Sequence, residues 1–199
     1  DANATFIDLD GDGLTDLATR DNAWRSTFRP PVIVGFPNGL AAKSVPTYQV
    51  ITTATAQGDA ARPGHPVYDK TSRSVAPGAT PTLVPLRVVA SLASDDGIGG
   101  TAITDFEYRD LRTSPSGRGP QGFGTVIVTG PEDRSPPIGQ RTRIATTTQY
   151  LQSFPYTGLP FKVTRNVVDA ASGSKTALVS VTTTDYCDAM PETEDEDNC

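Results

Sequence analysis

Apolar and polar residues alternate along the second half of the chain, and turn residues interrupt the alternation at short intervals. In "TAITDFEYRD", Ile103, Asp105, Glu107 and Arg109 fall on one face; Ala102, Thr104, Phe106 and Tyr108 fall on the other. This period of two marks a strand with unlike faces. Comparable segments recur across 82–186: "TLVPLRVVASLAS", "GTAITDFEYRDL", "GFGTVIVTGP", "GQRTRIATTTQYLQ", "GLPFKVTRNVVD" and "SKTALVSVTTTDY". The spacers "DDGIGG", "TSPSGRGPQ", "EDRSPPI", "SFPYT" and "AASGS" carry the residues that make turns. Strands joined this closely predict an antiparallel meander, because parallel neighbours need crossover connections of about a dozen residues or more. No stretch has sustained helical periodicity, and the one helical expectation is a short turn around 184–190.

The first part of the chain is patterned differently. Residues 1–45 read as one unit: strand, acidic loop and strand in "ATFIDLDGDGLTDLATR", then a strand and turn in "PVIVGFPNGLAA". Residues 46–81 hold a short strand within "VPTYQVITTAT" and then an irregular connector rich in Gly, Pro, Ser and Asp. An acidic tail, 187–199, closes the chain. The fold class expected is therefore all-β.

Composition agrees with many short strands and turns. The 199 residues include 18 glycines and 17 prolines, and only 36% are hydrophobic. The net charge is −6, but seven acids lie in "DYCDAMPETEDEDNC", and the remainder is formally +1. A nearly neutral body lacks the basic footprint of a nucleic-acid binder and the polybasic patch of a membrane anchor. No apolar run approaches the ~18 residues of a spanning helix. With no initiator methionine and no signal peptide, the chain is expected to be a piece of something longer. Cys187 and Cys199 either form a disulfide around the acidic run or remain two thiols, since spacing alone does not determine geometry.

The stretch "FIDLDGDGLTDLATRD" carries the clearest chemistry. Ca²⁺ takes six to eight oxygens at ~2.3–2.6 Å. Asp8, Asp10 and Asp12, at alternate loop positions, can aim carboxylates at one centre. The Leu14 carbonyl and Asp16 follow at positions seven and nine, and Gly11 and Gly13 permit the tight backbone. An EF-hand would need a glutamate at position twelve and helical flanks; that position is Thr19, and the flanks read as strands. The loop resembles instead the calcium loop of FG-GAP repeats, the blades of integrin-type β-propellers. With a single copy present, that resemblance implies a terminal β-propeller-blade element with the rest of the propeller upstream.

A second resemblance spans about Phe6 to Tyr186, most of the chain. Val88-Val89-Ala90-Ser91, Asp96-Gly97, Phe106-Glu107-Tyr108 and Gly122-Phe123 follow in the order found in the middle region of insecticidal toxin-complex B components. Related plasmid-virulence proteins and RHS/YD-repeat proteins share that region. Phe106 replaces the family's usual tyrosine. Thr148, Tyr150, Gln152, Phe154, Pro155, Gly158 and Pro160 match its "T-x-x-Y-x-Q-x-F-P-x-x-G-x-P" stretch. The resemblance implies a secreted, virulence-associated scaffold in which a propeller joins a β-meander or shell-type sheet that encloses a toxin. It implies partners within the same polypeptide or toxin complex, and the cargo enzyme lies downstream in that family.

The residues themselves offer no catalytic constellation. His65 is the single histidine and sits between Gly64 and Pro66. No G-x-S-x-G elbow is present, and one histidine with two terminal cysteines does not make a zinc site. Asp105 and Glu107 share a strand face without a visible cleft partner, and Trp24 reads as a packing residue. The expectation is a non-enzymatic scaffold whose only cofactor is Ca²⁺. The alternatives are a calcium-dependent adhesin- or lectin-like module and, after it, a metal-dependent hydrolase. Open strand edges also raise the prospect of self-association.

Overall fold

The structure is a computed structural model; it describes residues 4–10, 12–27, 31–37, 42–54, 67–69 and 80–186. The expectations placed on Cys187, Cys199, the acidic tail, His65 and Asn38-Gly39 lie outside the described residues. Among those described, no helix is long and apolar enough to cross a membrane.

The chain is all-β, with antiparallel pairing throughout the strand registers. Three short strands, β1 (Thr5–Ile7), β2 (Asp16–Ala18) and β3 (Ala23–Trp24), make a sheet in the order β1-β2-β3. The second sheet has ten strands and is not closed into a barrel. It comprises β4 (Phe36–Pro37), β5 (Lys43–Val50), β6 (Tyr68–Asp69), β7 (Thr80–Pro81), β8 (Arg87–Asp95), β9 (Thr101–Ser114), β10 (Gly119–Thr129), β11 (Thr142–Tyr150), β12 (Pro160–Asp169) and β13 (Lys175–Thr183). Its order runs β13-β12-β11-β10-β9-β8-β5-β4, with β6 and β7 also pairing with β9. The six recurring segments of the sequence are thus β8 to β13, neighbours in space as in the chain. One helical turn, α1 (Ile51–Ala54), ends β5. Residues 184–186 are not helical, and the rest of the anticipated turn near 184–190 lies outside the described residues.

Two compact units interleave along the chain: Asp1–Asp69 with Leu83–Glu107, and Lys70–Thr82 with Tyr108–Cys199. β5 pairs with β8 inside the first unit, whereas Thr80 and Pro81 of β7 pair with Thr113 and Arg112 in the second. In the first unit the core is Val50, Ile51, Val67, Tyr68, Val88 and Ala90. Ile51 is fully enclosed, and its N–H donates to Leu86 O at 3.0 Å. Pro46 is tolerated within β5 because, among the described residues, β4 pairs with Lys43 and Ser44 and not with the proline.

The second unit buries little apolar surface: Leu111, Ala145 and Val168. Its interior is instead polar. Asp110 and Arg112 are both buried, and Arg112 Nε and Nη2 donate to the two Asp110 carboxylate oxygens at 3.2 and 2.9 Å. Arg143, also buried, donates to Gly130 O and Thr129 O at 2.6 and 3.0 Å. Forked guanidinium geometry suits such sites, because several hydrogen bonds offset the loss of water. The outermost strand, β13, is exposed at all nine positions. Its register against β12 leaves Thr176 and Val179 as extra residues. Bulges of this kind bend an edge away from further pairing.

The buried and exposed ion pairs differ in consequence. Arg112→Ala would leave Asp110 buried without its counter-charge, at a cost of about 3–5 kcal/mol. Arg141→Ala, losing a pair with Glu132 that is 26% and 37% exposed, should cost at most about 1 kcal/mol. Denaturant unfolding of the two variants checks the contrast.

Candidate metal centre

The acidic loop joins β1 to β2. Thr5, Phe6 and Ile7 pair with Ala18, Leu17 and Asp16, so the loop's ends are held together by a strand ladder. Both flanks are strands, as the failed EF-hand pattern requires. Thr19, at the twelfth loop position, belongs to the next turn: its N–H donates to Asn22 O at 2.8 Å, and its hydroxyl accepts from Asn22 N–H at 3.1 Å.

Asp16 organises the loop from below. It is 1% exposed. Its Oδ2 accepts from Leu9 N–H at 2.9 Å, and its Oδ1 accepts from Ser26 N–H at 2.7 Å. One carboxylate therefore ties the loop to the chain beyond β3. Asp8 accepts from Asp12 N–H at 3.2 Å through Oδ1 and from Gly13 N–H at 2.9 Å through Oδ2. Asp10 Oδ1 accepts from Asp12 N–H at 3.3 Å, and Asp10 Oδ2 faces the exposed Arg25 Nη1 at 3.6 Å. Asp12 Oδ1 accepts from Leu14 N–H at 2.9 Å.

Gly13 is required for two reasons. Its φ is +86°, and a Cβ there would meet Pro85 Cβ and Pro85 O at 3.0 Å. The loop thus rests closely on the segment that leads into β8.

Asp8, Asp10 and Asp16 each offer a carboxylate oxygen, and these three atoms lie within 4.8 Å of one another. Two oxygens on opposite sides of one Ca²⁺ are separated by roughly 5 Å, twice the ~2.3–2.6 Å ligand distance. The triad therefore fits a hard, oxygen-seeking cation. Asp12, named with them from the sequence, is not part of this triad, and its carboxylate turns to Leu14 N–H. Leu14 is half-buried in the loop. Sequence spacing pointed to the carboxylates but not to Ser26, Arg25 or Pro85, which reach the loop only through the hairpin and the tertiary contact.

The Asp16 carboxyl titrates below the ordinary aspartate range, chiefly because of the Ser26 N–H, then the Leu9 N–H and the charge of Arg25; burial opposes them. No protein-family model, curated protein or solved structure matches the chain.

Because its folded pKa is depressed, Asp16 stabilises the fold above its unfolded value of about 3.9, and that contribution is lost as pH falls through the folded value. Acid unfolding followed by the fluorescence of Trp24, the single tryptophan, should show stability declining below about pH 4. Asp16→Asn should be less stable at neutral pH and should lose this component of the acid dependence.

Proposed function

We propose that this chain is a non-enzymatic structural segment of a larger, secreted toxin-type protein of the RHS-like kind, stiffened at its N-terminal loop by Ca²⁺. The observation that carries the calcium reading is the convergence of the Asp8, Asp10 and Asp16 oxygens within 4.8 Å. Strands of three, three and two residues make a sheet that has little to hold it together, since small sheets depend on packing or cross-links for stability. A divalent ion would neutralise the repulsion among the carboxylates and cross-link the loop beyond the bonds that Asp8 and Asp16 already make. Asp8, Asp10 and Asp16 would hold it, with the Leu14 carbonyl and Asp12 as the further oxygens the spacing suggests. Its chemistry would be Coulombic bracing.

The scaffold reading is supported by the uninterrupted meander of β8 to β13. It is also supported by contact between two residues of the toxin-complex B pattern: the Tyr108 and Phe123 rings lie 4.9 Å apart across the β9–β10 hairpin. The partners that fit are other parts of the same polypeptide or toxin-complex subunits. The bulges of β13 work against pairing with a second copy.

One observation favours the calcium-dependent binding module as a second reading. Phe6, Leu17 and Trp24 are paired across the three strands and share one face. Phe6 is 73% exposed and Trp24 52%, so Trp24 is not the packing residue its sequence context suggests.

Calcium titration by calorimetry, with thermal unfolding in parallel, tests the proposal. At a free Ca²⁺ concentration 100 times Kd the folded state should gain about 2.7 kcal/mol, reversed by chelator. Asp10→Asn, at an exposed position, should abolish the gain while leaving the apo protein folded. An unchanged melting temperature at millimolar Ca²⁺ would refute the calcium reading. Binding to a glycan array that disappears with chelator would favour the module over the scaffold.

A further inference from the structure

The connection between β11 and β12, residues 151–159, is attached to its surroundings by side chains at alternate positions. Gln152 Nε2 has two hydrogens, and it donates to Asp110 O on β9 and to Gly122 O on β10, both at 2.8 Å. Each of those residues has left-handed φ, +64° at Asp110 and +75° at Gly122. Such a residue disrupts the ladder locally, and the amide of Gln152 satisfies both carbonyls there. Two residues on, the Phe154 ring lies under the Arg118 guanidinium, 4.0 Å from its centre. Two further on, Tyr156 stacks with Tyr186 beyond β13, ring centroids 5.8 Å apart.

Gly124 belongs to the same arrangement. Its φ is not in the left-handed range, so the glycine answers a need for space. A Cβ at 124 would sit 2.7 Å from Gln152 Oε1 and 3.2 Å from Asp110 Oδ2. The chain between these anchors is bonded to itself: Leu151 N–H to Leu159 O, Gly158 N–H to Leu151 O and Leu159 N–H to Tyr156 O, at 2.8–3.0 Å. It is also shallow, with Phe154 66% exposed. Segments with internal bonds and few buried apolar contacts open at lower cost than the sheet that carries them.

We propose that residues 151–159 form a strap that opens and closes as one unit over the β9–β10 hairpin, with Gln152 as its fastener and Gly124 as the recess that admits it. Asp110, whose carbonyl Gln152 holds, also carries the carboxylate of the buried ion pair with Arg112, so the strap is fastened to that pair's acid. The proposal is independent of the calcium reading.

Amide hydrogen exchange of the full chain, resolved by NMR, tests it. Gly158 and Leu159 should exchange at one common rate, faster than Thr146–Thr148 in β11. Gln152→Ala should speed exchange at Gly158 and Leu159 at least about tenfold, as expected when a low-cost opening loses its principal tie, with Thr146–Thr148 unchanged. Gly124→Ala should do the same. Gly130→Ala, whose Cβ would meet only Ile144 O at 3.6 Å, should alter neither. If Gly124→Ala fails to fold, Phe154→Ala, an exposed position, should give a smaller acceleration confined to the strap. Strap and strand amides accelerating together, or no change at Gly158 and Leu159 in Gln152→Ala, would overturn the proposal.

Discussion

A chain that reverses direction many times must find acceptors for the N–H groups its turns remove from the ladder. Here aspartate carboxylates supply many of them. Asp96 Oδ1 accepts from Ile98 and Gly100 in the β8–β9 turn. Asp133 Oδ1 accepts from Ser135, and Asp169 Oδ1 accepts from Ala171 and Ser172 in the β12–β13 turn. These bonds hold Asp133 and Asp169 below the usual carboxylate range. The acidic loop between β1 and β2 uses the same device at higher density. Its aspartates serve first as turn acceptors, and the gathering of three charges around one point follows from that folding role.

The second unit has a polar interior of a different kind. Large apolar side chains such as Ile138, Phe154, Leu178 and Val179 stay exposed, while Asp110, Arg112, Arg143, Gln121 and Asn166 are buried. Arg112 and Arg143 are satisfied by forked bonds. The Gln121 Oε1 and Asn166 Nδ2 atoms are buried with no protein partner among the described residues. The unit therefore relies on complete networks around its ion pair, and Gln152 extends such a network outwards to a surface connection.

The proposed ion binding and the stability of the fold would meet in the acidic loop. A carboxylate offers about four lone-pair sites, so accepting a backbone N–H leaves room for a cation. Asp16 is the most committed, with both oxygens bonded to N–H groups and the residue enclosed. Asp10 is the least, facing solvent and a distant Arg25. This gradient makes Asp16 the structural anchor and Asp10 the position where the proposed ion binding would separate most cleanly from folding.

Period-two alternation and short Gly- and Pro-rich spacers were sufficient to locate β8 to β13, because side-chain direction in a strand alternates by stereochemistry alone. The exclusion of an EF-hand was equally local: Thr19 lacks the carboxylate, and the loop's flanks are strands. The pairing of β5 with β8 was not legible, since it joins residues separated by an irregular connector and depends on the packing around Ile51. Nor was the convergence of Asp8, Asp10 and Asp16, with Asp12 Oδ1 accepting from Leu14 N–H, which depends on where the folded loop directs each oxygen. Period two puts Asp110 and Arg112 on one face of the strand, but it does not show that both are buried together with Leu111 between them, at a point where Asp110 has a left-handed φ. Local pattern determined the elements; partners distant in sequence decided which polar groups are buried, which carboxylates converge and which glycine is needed for space.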